Sequence, residues 1–283
     1  MNSPESPLAG FGRRFRRNRP AFYAAWLLGA IVLLALFAPL LYPRDPFAIV
    51  GKPFLPPFGD YLFGTDQLGR DVAAGIARGA ITSLLIGVVA TVCAMTIGVF
   101  VGGAAGYFGG RVDALLMRTT EALQTVPAFI FAIVLVAILS PSLESTIIAI
   151  AVVSWPPMAR LVRGEFLATK NREFVQACVS LGMSDVRVIL RHILPNCASA
   201  IVVTASLMVA TAILIESGLS FLGLGDANLM SWGYLIGAGR TVLRTAWWVC
   251  AFPGIAILLT VLAINLFGEG LNDALNPRLR NVA

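Results

Sequence analysis

The stretch of sequence that decides the fold is residues 173–195, EFVQACVSLGMSDVRVILRHILP, a polar interruption in a very apolar chain. Apolar residues recur at helical spacing before Gly182, at Phe174, Ala177, Cys178 and Leu181, and again after it, at Val186, Ile189, Leu190 and Ile193. This spacing predicts two short amphipathic helices that join at Gly182, with Ser184 capping the second helix and Pro195 ending it. Such a helix pair between membrane spans is typical of a docking element for a soluble partner, and we call residues 173–194 the elbow.

The composition places this elbow in an all-α integral membrane protein. Of the 283 residues, 58% are hydrophobic and only 13% are charged, whereas soluble domains carry about 25% charged residues. Six stretches are apolar and long enough to cross a bilayer, near 21–42, 81–106, 122–140, 145–160, 197–222 and 247–268. The fourth stretch is short and ends at Trp155-Pro156-Pro157, which predicts a kinked or irregular lower end.

Lysine and arginine residues are distributed unequally between the two sides of these spans, which predicts the orientation. One side carries Arg13, Arg14, Arg16, Arg17, Arg19, Arg111, Arg118, Arg160, Arg163, Lys170, Arg172, Arg187, Arg191, Arg278 and Arg280. The other side carries Arg44, Lys52, Arg70, Arg78, Arg240 and Arg244. We therefore expect both termini to be cytoplasmic. The net charge of +6 fits contact with anionic lipid headgroups and requires no nucleic acid.

This orientation divides the chain into a membrane domain and two tails. The predicted organisation is a cytoplasmic Arg-rich tail at 1–20, a six-span domain at 21–270 and a cytoplasmic tail at 271–283. Within the six-span domain, the loops at 43–80 and 223–246 are predicted to be external, and the loop at 161–196 to be cytoplasmic. Gly98, Gly102 and Gly106 recur every four residues in the second span, and such a stripe predicts close packing against another helix.

Several kinds of chemistry lack their sequence signatures. The two lysines, Lys52 and Lys170, belong to no G-x-x-x-x-G-K-[ST] loop, so the chain has no recognisable means of binding ATP. An H-E-x-x-H zinc site is excluded because His192 is the single histidine. The G-x-S-x-G motif of serine hydrolases is also absent. We therefore expect a chain that is not an enzyme by itself and carries no cofactor. Its four cysteines have no paired spacing and are interpreted as small core residues.

Glu216 is the one carboxylate within the predicted spans, toward the external end of the fifth. Ion-driven carriers usually hold such groups in pairs or chains. Glu216 is therefore the candidate for a contact with solute, and a helix-packing or pore-lining role beside a polar neighbour on another span stays open.

The elbow resembles the EAA loop of bacterial ABC-transporter permeases, in which Glu-Ala-Ala is followed by a glycine and later by Leu-Pro. The matching residues here are Gln176-Ala177-Cys178, Gly182 and Leu194-Pro195, and two of the three triplet residues depart from the pattern. Further motifs resemble the dipeptide/oligopeptide/nickel permease family, and their order and spacing resemble its second, C-type permease subunit. They are FGTDQLGRD at 63–71, GGRVD at 109–113, GLSFLGLG at 218–225 and LNPR at 275–278.

This resemblance implies a permease subunit of a type I ABC importer in the bacterial cytoplasmic membrane. It implies a homologous second permease, two ATPases that bind ATP and magnesium, and an extracytoplasmic solute-binding protein. The residues expected to couple to an ATPase are Gln176, Ala177, Cys178, Leu181, Gly182, Met183, Ser184, Asp185, Arg187 and Arg191. Short peptides are the expected solute. A nickel chelate, another small polar solute, an ion-coupled secondary carrier and a membrane scaffold remain as alternatives.

Overall fold

A computed structural model describes residue 15 and residues 18–275, and the regular structure in this part of the chain is helical. The α-helices are α1 Arg19–Leu41, α2 Val72–Phe108, α3 Gly110–Gln124, α4 Ala128–Leu139, α5 Leu143–Lys170, α6 Glu173–Ser180, α7 Asp185–Val188, α8 Leu194–Phe221, α9 Trp232–Gly239 and α10 Trp248–Leu275. A π-helical turn at Ile189–Ile193 joins α7 to α8, and a 3₁₀ turn at Arg240–Val242 follows α9. Most of the two predicted tails, including 276–278 of the LNPR motif, lies outside the described residues.

The described helices agree with the predicted all-α membrane class. Five of them are long and apolar enough to cross a bilayer: α1, α2, α5, the continuous stretch Asp185–Phe221, and α10. Helices α3 and α4 pass the same test only as a pair, and they are bent by 84°. The count is therefore six when the bent pair is taken as one span.

The third span differs from its predicted form, which was a single helix over 122–140. The helix breaks between Gln124 and Ala128, at Thr125-Val126-Pro127. Pro127 has no N–H to continue the hydrogen-bond ladder of α3, and a proline pushes the preceding residue out of the helical region. Pro127 instead becomes the N-cap residue of α4.

The second span begins at Val72 and not at the predicted residue 81. Asp71 starts the helix, because its side chain accepts a hydrogen bond from the backbone N–H of Ala73 at 2.8 Å. The predicted external loop at 43–80 therefore ends at Asp71. The first turns of α2, which include Arg78, are less apolar than the rest of the span, and for this reason hydropathy predicts a later start.

The fourth span is longer than the predicted 145–160 and does not end at its two prolines. Helix α5 continues through Pro156 and Pro157 to Lys170, so the first part of the predicted cytoplasmic loop is helical. Close packing against α2 supports the helix at this point. A Cβ at Gly98 would lie 2.6 Å from a side-chain atom of Met158, and one at Gly102 would overlap the carbonyl oxygen of Ala159. The glycine stripe therefore has the packing role that the sequence predicted.

Pro195 does not end the second helix of the elbow, contrary to the prediction. The backbone N–H of Leu194 donates to the carbonyl of Ile189, so the chain makes one wide π-helical turn and then continues as α8. Pro195 lies in the first turn of α8, a position at which a helix tolerates proline. The fifth span is thus joined to the elbow without an intervening loop.

Candidate coupling site

The elbow consists of α6, a turn over 181–184, α7 and the π-helical turn. Gly182 has φ +75°, a left-handed conformation that glycine adopts without the penalty that a Cβ imposes. Its N–H donates to the carbonyl of Val179 at 2.9 Å, and the N–H of Met183 donates to that of Cys178 at 3.2 Å. These hydrogen bonds close the end of α6. Ser184 occupies the N-cap position of α7, but its side chain makes no capping hydrogen bond.

One face of the elbow packs against the ends of the membrane helices. Val175, Val188 and Ile193 are completely buried in a cluster with Tyr107 of α2 and Phe166 of α5. Cys178 and Met183 pack against the same cluster and are partly buried. This inner face therefore fixes the elbow to α2, α5 and α8.

Large apolar side chains are exposed on the opposite face of the elbow. The exposed fractions are 40% for Phe174, 80% for Leu181, 65% for Val186 and 59% for Leu190. The residues that share helical spacing in the sequence thus divide between two faces, because Ile193 is buried and Leu181 is the most exposed of the set. We call Phe174, Leu181, Val186 and Leu190 the outer face of the elbow.

Two polar contacts attach the elbow to the neighbouring helices. The Tyr107 hydroxyl donates to Asp185 Oδ1 at 2.6 Å, and Gln176 Nε2 donates to the carbonyl of Lys170 at 3.0 Å. Lys170 Nζ in turn donates to the carbonyl of Tyr107 and lies 5.1 Å from the centroid of its ring. No sequence pattern pointed to Tyr107, because this residue follows a glycine-rich apolar run with no polar pattern around it.

A salt bridge beside the elbow joins α3 to α5. Arg163 donates from Nε to Asp113 Oδ1 at 2.5 Å and from Nη2 to Asp113 Oδ2 at 2.7 Å. The GGRVD motif therefore supplies a carboxylate for a bidentate contact, which is the strongest geometry for this pair of groups. His192 is half-buried, and among the described residues its Nε2 has no hydrogen-bond partner.

Glu216 lies near the far end of α8 from the elbow and is only 1% exposed. Its Oε1 accepts hydrogen bonds from Ser220 and Ser231 at 2.8 Å, and its Oε2 is 3.4 Å from the hydroxyls of Ser83 and Ser217. These serines come from α2, from α8 and from the start of α9. The carboxylate is thus enclosed within this chain and held by serines of neighbouring helices, which fits the packing role that the sequence left open. A contact between Glu216 and solute stays a prediction.

The sequence matches two known protein families. Residues 94–281 match the family described as binding-protein-dependent transport system inner membrane component, and residues 6–62 match the N-terminal transmembrane domain of oligopeptide transport permease C. The chain belongs to this family of transport permeases. The family expected from the elbow and the other motifs is thereby confirmed.

Relatives of the permease cover almost its whole length. It is 42% identical over 271 residues to the dipeptide transport system permease protein DppC of Bacillus subtilis, and this alignment covers 95% of this chain and 85% of that protein. It is 39% identical over 286 residues to the di/tripeptide transport system permease protein DppC of Pseudomonas aeruginosa, with 98% and 94% covered. It is 40% identical over 270 residues to the oligopeptide transport system permease protein OppC of Bacillus subtilis, with 94% and 88% covered.

A solved structure shares the fold of the permease. An inward-facing crystal form of the MetNI methionine ABC transporter contains a chain that superposes with a TM-score of 0.61 at 17% identity, covering 71% of this permease and 96% of that chain. At this identity the likeness concerns the fold alone. It confirms the fold of an ABC importer permease that the motifs implied.

The predicted coupling residues of the permease occupy four kinds of position. Leu181 lies on the exposed outer face, with Gln176, Ala177, Ser184, Arg187 and Arg191 also exposed. Cys178 and Met183 face the membrane helices. Asp185 is exposed but hydrogen-bonded to Tyr107, and Gly182 forms the turn. Their contacts with an ATPase stay a prediction.

Proposed function

We propose that this permease is one of two homologous transmembrane subunits of an ATP-driven importer of short peptides in the bacterial cytoplasmic membrane. The relatives described above are named for dipeptides, di- and tripeptides and oligopeptides. Those names favour short peptides over a nickel chelate or another small polar solute. In this proposal two ATPase subunits bind ATP and magnesium, and an extracytoplasmic binding protein delivers the peptide.

The observation that carries the proposal is the outer face of the elbow. Exposed apolar side chains grouped on one surface are typical of a protein-binding site, and helices commonly present such a face to a groove on a partner. These side chains are provided by Phe174 on α6, Leu181 in the turn that follows, Val186 on α7 and Leu190 in the π-helical turn. The exposed Arg187 and Arg191 add positive charge at the edge. A groove on a cytoplasmic ATPase fits this combination.

The inner face of the elbow supports a mechanical role. Val175, Val188 and Ile193 are buried against the membrane helices, and the second elbow helix continues directly into α8. Packed interiors are stiff, so a displacement of the docked elbow is passed on to α2, α5 and α8. ATP-driven closure of the two ATPases would in this way tilt the spans and open the pathway alternately to each side of the membrane. Both termini are cytoplasmic in this arrangement.

The docking surface is tested by placing a charge at its most exposed apolar position. We expect Leu181→Asp to weaken association with the ATPases by about tenfold or more, which is 1.4 kcal/mol per factor of ten, because the carboxylate must lose its water in an apolar groove. Co-purification and ATP-driven peptide uptake in proteoliposomes measure the effect. The matched control is Leu62→Asp, which places the same charge at an exposed leucine in the segment between α1 and α2. Normal association of Leu181→Asp would contradict the docking surface.

The same reconstitution separates the importer from its two rivals. An importer takes up peptide only with ATP, both permeases and both ATPases present. Uptake driven by an ion gradient without ATPases would indicate a secondary carrier. ATPase binding without any ATP-driven uptake by the complete assembly would indicate a membrane scaffold.

A further inference from the structure

The GLSFLGLG motif at 218–225 has no part in the coupling described above, and the structure shows that it reverses the chain at the end of α8. The N–H of Gly223 donates to the carbonyl of Ser220 at 3.0 Å, and that of Leu224 donates to Leu219 at 2.9 Å. Gly223 has φ +82°, the left-handed conformation of a helix C-terminal cap. Gly225 then passes so close to Ser220 that a Cβ would overlap its hydroxyl oxygen.

This reversal brings α9 back along α8 with almost no side chain between the two backbones. A Cβ at Gly233 would lie 2.6 Å from Ser217 Cα, and one at Gly237 would lie 2.9 Å from the carbonyl oxygen of Ser220. Gly233 and Gly237 are four residues apart and therefore share one face of α9. At eight residues α9 is too short to cross a bilayer, yet it packs against α2, α8 and α10.

Trp232 anchors the first turn of α9. Its side chain is 2% exposed, and its Nε1 donates to the carbonyl of Ile76 in α2 at 3.0 Å. Its backbone N–H donates to the Ser83 hydroxyl at 3.2 Å, and the neighbouring Ser231 hydroxyl accepts from the N–H of Tyr234 at 3.0 Å. Ser83 and Ser231 each also have their hydroxyl within hydrogen-bonding distance of Glu216.

We propose that Glu216 is a positioning residue that fastens α9 to α2 and α8, so that α9 stays fixed relative to these spans and to the neighbouring α10, as a wall and not as a lid. Swinging α9 away would uncover the carboxylate of Glu216 and separate it from Ser231. It would also break the hydrogen bond from the Trp232 N–H to Ser83 and expose the Trp232 side chain. Buried polar groups are costly to leave unpaired. The two ends of the permease therefore differ. The elbow presents exposed apolar side chains as the proposed docking surface, whereas the opposite end holds α9 through the buried hydrogen bonds of Glu216. Import serves as one readout and rests on the proposed function, whereas the position of α9 is read independently of it.

A disulfide tests whether α9 moves relative to the spans. A Cβ at Gly239, the last residue of α9, would lie 2.8 Å from the Sγ of Cys250 in α10, so oxidation of a Gly239→Cys variant would join the two helices. For a fixed wall, the oxidised variant should retain import within about twofold of its reduced form, whereas locking a moving lid abolishes turnover. The control is Gly239→Cys combined with Cys250→Ser, which cannot form the bond. Loss of import on oxidation, restored by a reductant, would overturn the proposal.

A second measurement requires neither import nor a disulfide. The Cys250 thiol lies beneath α9, 3.6 Å from the carbonyl oxygen of Ile236, so its alkylation by a maleimide, followed by mass spectrometry, reports how well α9 covers it. We expect slow labelling in the wild type. Labelling should be about tenfold faster or more in Glu216→Ala, because the variant lacks the hydrogen bonds that hold α9 in place. A factor of ten corresponds to 1.4 kcal/mol. Glu216→Gln should be intermediate, because its carboxamide retains one acceptor oxygen.

The matched control for this labelling is Glu144→Ala, which removes an exposed carboxylate at the start of α5 and should leave Cys250 unchanged. Equal labelling of wild type and Glu216→Ala would overturn the fastening. Loss of ATP-driven uptake in every variant, with the expected labelling intact, would count against the proposed function and not against the fastening.

Discussion

At the scale of single residues, the elbow depends on one backbone conformation. Gly182 has φ +75°, and among the described residues nothing lies within 4 Å of the place where its Cβ would be. A larger side chain at this position therefore meets backbone strain and no steric obstacle. This separates the effect of the turn from the effect of packing.

We predict that Gly182→Val abolishes ATPase association and transport while membrane insertion remains normal. A β-branched residue in the left-handed region costs about 1–2 kcal/mol, and the turn relaxes by moving the outer face away from its groove. Gly182→Asn is the control, because asparagine tolerates this conformation and should retain most of the activity. Co-purification and uptake measure both variants. Normal association of the valine variant would show that the turn does not position the docking surface.

At the scale of the helical elements, termini and breaks are set by particular side chains. Asp71 caps α2, and burial raises the pKa of its carboxyl while the N–H groups of Ala73 and Ala74 act in the opposite direction. Because this pKa is raised in the folded state, the stability contributed by the protonated form is present below the unfolded pKa. It is lost as the pH rises through the folded pKa.

We predict that Asp71→Asn unfolds at a temperature equal to or above that of the wild type at pH 7, and that it lacks this part of the pH dependence. Asparagine is as good an N-cap as aspartate, whereas Asp71→Ala loses the cap and about 1 kcal/mol of stability. Thermal unfolding in detergent from about pH 4 to about pH 8, across the range in which carboxyl groups titrate, measures these differences. Asp60→Asn, at an exposed site in the same segment, is the control. A less stable asparagine variant at pH 7 would contradict the dominance of burial at this site.

At the scale of the whole molecule, the proposed function requires that motion at the elbow reaches the spans. The hydrogen bond from Tyr107 to Asp185 joins the end of α2 to the start of α7 at 2.6 Å. Together with the buried inner face it forms a continuous connection between the docking surface and the membrane helices. Whether this connection passes motion from the elbow to the spans is tested by measuring how ATP hydrolysis is coupled to uptake.

We predict that Tyr107→Phe leaves ATPase association intact and lowers the amount of peptide imported per ATP hydrolysed. A hydrogen bond to a charged group contributes about 1.5–3 kcal/mol, so the loosened elbow should waste part of the ATPase motion. The ratio of uptake to hydrolysis in proteoliposomes is the measurement. Tyr23→Phe, at an exposed tyrosine on α1, is the matched control. An unchanged ratio in Tyr107→Phe would show that the apolar inner face carries the coupling alone.

Much of this molecule follows from local sequence patterns. The apolar stretches indicated the spans, the break in hydrophobicity located the elbow, and the small-residue stripe indicated that α2 packs closely against another helix. These features are predictable because the bilayer demands long apolar helices and because close helix contacts in lipid demand small residues. The break at Pro127, the long helix through Pro156 and Pro157, and the continuation through Pro195 were not predictable in the same way.

By itself, then, the sequence determined the class of protein, the position of the elbow and the identity of its turn residue, because hydropathy and backbone preference are properties of residues along one chain. The tertiary structure decided which apolar side chains of the elbow are buried and which remain free, since that depends on the helices packed against it. It also decided that Glu216 joins serines from α2, α8 and the start of α9, residues as far apart in sequence as Ser83 and Ser231. Contacts between distant residues leave no periodic trace in a sequence, and a proline ends a helix only where no neighbouring helix supports its continuation.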